Sequence, residues 1–497
     1  MRTIHRRYRF SSGMFDVAKS VPAGRALLIL AFLFGSLGGC DDGSLAAVEP
    51  DPVGGPALMR RLTESQFRAT VADIFGPDVP VSARFERGLR SHGLVAVGTS
   101  EAGMSAFSIE QYDAAARSIA AFMMSEEQRE KYVPCRPQDD VFDEACATRF
   151  IERYGTRLLR RPLAATDIGR FVDSARRGSA QLGSFHDGLA YALVGVMVSP
   201  EFLLRIERPE RMREEPGVWQ LDAASRASRL SYFLTNSTPD EELLRAASAG
   251  ELDAADTLTA QVDRLIASPR FNDAIRAFFG DMLEFELFDD LAKDPAIYPA
   301  FNSDVVADAQ EQTLRTITDH LVEQDGDYRD LFTTRTTWLT RALGVVYRLP
   351  VATRAGWEKS EFPASSGRAG IHTNISFLAL HSHPGRSSPT LRGKAVREIF
   401  LCQEVPAPPP KVNFSVVQDS SSTNMPTARD RLQVHRQEPS CAGCHKVMDP
   451  VGLTLESFDG LGTHRTRENE ALIDTSGDLD GVDFNDTQVL AHALRNH

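Results

Sequence analysis

The chain has 497 residues, with 55 Lys and Arg against 68 Asp and Glu, for a formal net charge of −13. An acidic surface of that size repels phosphate backbones, which argues against nucleic acid as a partner. The length is ample for several segments with substantial cores.

The N-terminus reads as a leader. Arg2, Arg6, Arg7, Arg9, Lys19 and Arg25 precede an apolar run from Ala26 to Leu37, and Leu37-Gly38-Gly39-Cys40 follows. A positive region, a short apolar stretch and small residues at the cut are the parts of a signal peptide. The run is shorter than the ~20 apolar residues that a membrane-crossing helix needs. A Cys directly after Leu-Gly-Gly resembles the bacterial lipobox. Residues 1–39 are therefore expected to be removed, Cys40 to carry lipid, and residues 40–56, polar with Pro and Gly, to form a flexible tether. Export follows, with the protein lipid-anchored to the inner or outer membrane facing the periplasm, or at the cell surface.

Helical patterns dominate what comes next. Leu58, Leu62, Phe67, Val71, Ile74 and Phe75 recur near the 3.6-residue period until Gly76-Pro77 stops them, and Thr63-Glu64-Ser65-Gln66 has the form of a capping box. Further helical stretches are 105–124, 147–160, 184–198, 221–235, 254–286, 303–324, 372–380 and 391–401. A capping-box-like Thr427-Ala428-Arg429-Asp430 predicts a helix over 428–438, closed by Pro439. Strand-like alternation is scarce, so the fold class is mainly α. The expected order is helical segments at 57–130, 131–200 and 201–360, a cytochrome c-like haem-binding segment at 361–470, and a helical start at 471–497. Asp474 to Gly481 looks like a calcium loop, but its register fails, and it reads as an acidic turn.

The most specific signal is Cys441-Ala442-Gly443-Cys444-His445, a C-x-x-C-H motif. Two thiols at this spacing can each add to a vinyl group of one porphyrin, and the adjacent imidazole is placed to ligate iron. Zinc would need a fourth N/S ligand that this stretch does not supply. Pro450 lies five residues after His445, and its carbonyl is a candidate acceptor for the other ring N–H. Of the remaining cysteines, Cys135 and Cys146 lie close enough in sequence to close a local disulfide in an oxidising compartment. Cys402, in the apolar stretch Ile399-Phe400-Leu401-Cys402, reads as a buried thiol.

The stretches RRLTESQFRATVADIFG (60–76), RLLRRPLAATD (157–167), SPEFLLR (199–205), SRASRLSYFLTNSTPDEELL (225–244), RSSPTLRGKAV (386–396), LCQEVPAPPP (401–410) and CAGCHKVMDPVGLTLESFDGLGTHR (441–465) follow one another in this order. Together they resemble the planctomycete-type cytochrome C domain proteins, large exported proteins also found in myxobacteria. The resemblance implies a multi-segment helical architecture with one covalent haem c, held by Cys441, Cys444 and His445. It supplies no reaction. It also implies that 471–497 is the start of a truncated C-terminal helical segment.

The sixth iron ligand stays open. Met448 is too near His445 to reach the opposite face of the macrocycle. Met425, His381, His383, His435 and His464 are the candidates, and a five-coordinate iron is the alternative. Arg392 and Arg465 are candidate propionate partners. Three functions follow: an exported, lipid-anchored monohaem c-type protein passing electrons to an unnamed redox partner; a haem-dependent oxidoreductase acting on an extracytoplasmic substrate; or a structural cell-surface lipoprotein.

Overall fold

The computed structural model describes residues 55–101, 103–137, 142–212, 217–406, 424–435 and 439–497. The expected signal peptide, the lipidation site Cys40 and nearly all of the tether lie outside the described residues. The fold is mainly helical, and its strands form only short two-stranded antiparallel ladders. No described helix is long and apolar enough to cross a membrane.

The first helix, α1 (Glu64–Phe75), starts where the sequence places it. The Thr63 side chain accepts from Gln66 N–H and the Gln66 side chain accepts from Thr63 N–H, satisfying two N-terminal donors at once. Helices α2 (Ala106–Met124), α3 (Glu144–Leu159), α4 (Ala165–Leu182) and α5 (Phe185–Met197) then pack around one apolar cluster. A disulfide ties Cys135 to Cys146 on α3, with Cα atoms 5.7 Å apart. A short ladder closes this part of the chain: Met59–Arg61 pairs with Leu204–Ile206, so that Arg60 lies opposite Arg205.

The helical pattern over 254–286 is not one helix. It divides into α8 (Ala255–Ile266), α9 (Arg270–Met282) and a 3₁₀ turn at Phe285–Asp290. The break falls at Ser268-Pro269, where Pro cannot continue the ladder of helical hydrogen bonds. Before it come α6 (Ala223–Thr235) and α7 (Glu241–Ser248), which with α8 surround a small cluster around Leu243, Ala246 and Leu265.

Helices α10 (Ser303–Thr318), α11 (Arg341–Tyr347) and α12 (Ile375–Leu380) share a further apolar cluster that runs from Phe279 to Leu461. This core therefore passes straight through residues 360 and 361, where the sequence suggests a change of segment. Helix α13 (Pro389–Ala395) is followed by a π turn at Val396–Phe400 in place of the continuous helix expected to 401. Cys402 follows in a left-handed conformation and is exposed, not buried. The helix has already ended, so the thiol lies outside the apolar face that carries Ile399 and Phe400.

Helix α14 (Ala428–His435) carries the reciprocal cap that the sequence predicts, with Asp430 accepting from Thr427 N–H and Thr427 Oγ1 accepting from Asp430 N–H. Pro439 does not close this helix. It opens the next one, α15 (Pro439–Thr454), at a position where its missing N–H costs nothing. The acidic stretch 474–481 forms part of a hairpin, Gly477–Leu479 against Val482–Phe484, turning at Asp480-Gly481. The last helix, α16 (Thr487–Asn496), is capped by Asp486 and buries Leu490 and Leu494.

Candidate functional site

Helix α15 carries Cys441, Cys444 and His445 on its first two turns. The spacing puts the two thiols one turn apart on one side. Cys441 is buried, and Cys444 and His445 are half-buried. One turn further on, Asp449 is fully buried and faces the imidazole. His445 Nδ1 lies 3.0 Å from each carboxylate oxygen. A carboxylate can only accept, so the shared proton belongs to Nδ1 and the lone pair to Nε2, the tautomer that a metal ligand requires. The donor set thus fits a covalent haem c: two thiols at vinyl spacing and a histidine whose second nitrogen is already anchored.

The orienting group is not the one read from the sequence. The Pro450 carbonyl lies inside α15 and accepts from Thr454 Oγ1 at 3.2 Å. The Asp449 carboxylate takes its place because residues four apart share one face of a helix. That spacing was legible, and the pair could have been found from it.

What holds α15 is equally specific. It crosses α13 with the two backbones in contact. A Cβ on Gly393 would lie 2.0 Å from Met448 O, and one on Gly452 would lie 1.8 Å from Pro389 O. Beneath this crossing sits Arg392, fully buried. Its guanidinium donates to the carbonyls of Leu455 at 2.9 Å, Phe458 at 2.7 Å, Leu378 at 3.1 Å, and Asp459. Burial pushes its pKa down to about 10, so it stays charged at neutral pH. Arg465 donates to the buried Glu456 at 2.8 Å and to Ser387 Oγ at 3.0 Å. Arg392 is thus spent inside the protein and is not placed for a haem propionate, while the half-buried Arg465 is paired with Glu456. Arg368 is likewise buried, donating to the Thr373 and Gly462 carbonyls among the rings of Tyr347, Phe362 and Phe458.

The candidate sixth ligands are dispersed. His381 and His383 sit on the turn after α12, which Lys293 pins by donating to Ala379 O at 2.8 Å and Ser382 Oγ at 2.6 Å. Burial lowers the Lys293 ammonium to about 7. The His381 ring packs on Phe377, and His464 stands against the Phe458 ring. Met425 engages Arg431 through its carbonyl. The His435 side chain lies outside the description. Among the described residues, no three His, Cys, Asp or Glu side chains are grouped to hold a bare metal ion. A surface cavity of about 380 Å³ lies along the far end of α15, between Pro450 and Leu453 on one side and Asp478 and Phe484 on the other.

Four family models match consecutive stretches of the chain. PSD3, a protein of unknown function (DUF1587), covers residues 60–125, and PSD5 (DUF1595) covers 146–207. PSD4 (DUF1592) covers 221–349, and PSCyt3 (DUF1588), a planctomycete cytochrome C domain, covers 368–468. The chain belongs to the planctomycete-type cytochrome C domain proteins. No curated protein and no solved structure matches it. In this family member the C-x-x-C-H helix, Asp449 and Arg392 all fall within the PSCyt3 match.

One residue of the PSCyt3 stretch was not singled out from the sequence. His372 is fully buried, neither ring nitrogen has a hydrogen-bond partner, and burial pushes its pKa down to about 3. The folded state therefore holds it neutral while the unfolded chain takes a proton near pH 6.5. Stability is unaffected above that pH and falls as pH drops from about 6.5 towards 3, by about 1.4 kcal/mol per pH unit. Urea titrations at pH 7 and pH 4.5 should show the wild type losing about 2–3 kcal/mol more than His372→Met. Equal losses in the two proteins would contradict this role.

Proposed function

We propose that the protein is an exported, lipid-anchored, monohaem c-type cytochrome-like protein that passes electrons outside the cytoplasm. The observation that carries this reading is the pairing of the C-x-x-C-H motif with a buried carboxylate on His445 Nδ1. Haem c, when bound, supplies one-electron chemistry at its iron. The residues of the chain do the rest. Cys441 and Cys444 provide the thiols for thioether attachment, His445 provides the axial nitrogen, and Asp449 keeps the Nδ1 proton in place. The leader ending at Cys40 supports export and a lipid anchor, with a redox partner in the same compartment.

A second reading, a haem-dependent oxidoreductase, is favoured by the long helical portion that precedes the haem motif, far more chain than electron carriage alone needs. It requires an open coordination position. An absorption spectrum separates the two. In a host competent for cytochrome c maturation, the denatured wild type should give a c-type haemochrome in alkaline pyridine with dithionite, and Cys441→Ala with Cys444→Ala should give none. A wild type without a haemochrome would overturn the proposal. A CO shift of the native reduced spectrum would favour the oxidoreductase, and an unshifted spectrum the electron carrier.

A further inference from the structure

We infer that Asp449 is a positioning residue that lowers the reduction potential of the haem site, and that Thr390 trims its effect. This inference rests on the proposed haem attachment and adds what tunes that same site.

His445 meets the carboxylate with both oxygens at 3.0 Å, and Asp449 has no exposure to water. A ring N–H that donates to an anion forms a bond roughly twice as strong as one to a neutral carbonyl. Such an acceptor raises the basicity of the opposite ring nitrogen. A more basic axial imidazole stabilises ferric over ferrous iron, so the potential falls. Hydrogen bonding beyond the axial ligand is one of the few levers a protein has on that potential.

The carboxylate is not left to act alone. Thr390 Oγ1 lies 3.1 Å from Asp449 Oδ1 and donates to it, because an ionised carboxylate can only accept. This bond draws charge away from Oδ1, one of the two oxygens that face the ring. The two residues therefore act in opposite directions: Asp449 strengthens the imidazole as a donor, and Thr390 limits how far. Their separation is fixed by the backbone contact of α13, which carries Thr390, with α15, which carries Asp449.

The test is the midpoint potential of three proteins, measured by spectroelectrochemistry after each is shown to carry haem c by its pyridine haemochrome. Asp449→Asn keeps the shape of the side chain and removes its charge. A tenfold change in the ferric-to-ferrous ratio corresponds to about 59 mV for a one-electron couple. Asp449→Asn is expected to move the potential up by about that much, and Thr390→Val to move it down by a smaller amount. Opposite signs cannot arise from general loosening of the fold, and Thr390→Val stands as an independent test should Asp449→Asn fail to fold. Loaded proteins with one common potential would overturn the inference and leave haem attachment standing. A wild type without a haemochrome would overturn both.

Discussion

Arg392→Met is expected to destabilise the protein by about 3–5 kcal/mol, read as a shift in the urea midpoint. Methionine fills much of the volume, so the effect is not chiefly a cavity. It comes from what the guanidinium leaves behind. The carbonyls of Leu378 and Phe458 lose their donor, while Leu455 O keeps only Phe458 N–H and Asp459 O keeps only Gly462 N–H. An unmade hydrogen bond in the interior costs about 1–3 kcal/mol per group when no water can replace the donor. Glu456, 2 % exposed, would also lose its cationic neighbour at 3.6 Å and keep only Arg465. Arg392→Lys should be less damaging but still costly, since one ammonium cannot reach four carbonyls spread around a planar fork. A Met variant within about 1 kcal/mol of the wild type would mean that water enters to bond these carbonyls.

Gly452→Ala is the second large effect. The added methyl carbon would sit 1.8 Å from Pro389 O, a backbone atom that no side-chain rotation can move aside. Helix α15 must then separate from α13. Overpacking of this kind costs about 1–3 kcal/mol and more where only backbone can yield. The matched control is Gly195→Ala on α5, where nothing lies within 4 Å of the new Cβ. There the change should be neutral or stabilise by up to about 1 kcal/mol, because Ala is the better helix former. Thermal unfolding of the two variants should therefore move in different directions. A Gly452→Ala protein as stable as the wild type would mean that the crossing is looser than the contact distances imply.

The parts of this fold that the sequence disclosed were those set by local rules. The cap at Thr63 and Gln66, the mainly helical character and the reciprocal cap at Thr427 and Asp430 depend on residues a few positions apart. Proline was harder to place. Pro269 splits the pattern over 254–286, and Pro439 begins a helix instead of ending one, because the same residue suits a first helical turn and forbids an interior one. In the site, the motif at 441–445 was plain. Its orienting group was misassigned to Pro450, although His445 and Asp449 stand at helical spacing. Arg392 and Arg368 were not legible as interior residues. Charge argues for the surface, and only the folded chain shows that their partners are carbonyls far away in sequence. The same holds for Cys402, whose exposure depends on a π turn that no local pattern announces.

The apolar cluster that runs from Phe279 to Leu461 bears on how such proteins are divided. It draws residues from both the PSD4 and the PSCyt3 stretches; Tyr298 and Lys293 stitch the two together by hydrogen bonds across them, and the Arg368 guanidinium lies over the Tyr347 ring. The borders of recurring sequence blocks need not be the borders of cooperative folding. A fragment cut at residue 361 would carry the C-x-x-C-H motif but expose its share of a common interior, and should aggregate under conditions where the undivided chain stays folded. In this chain the two sequence blocks are one physical body, and they should be expressed as a pair.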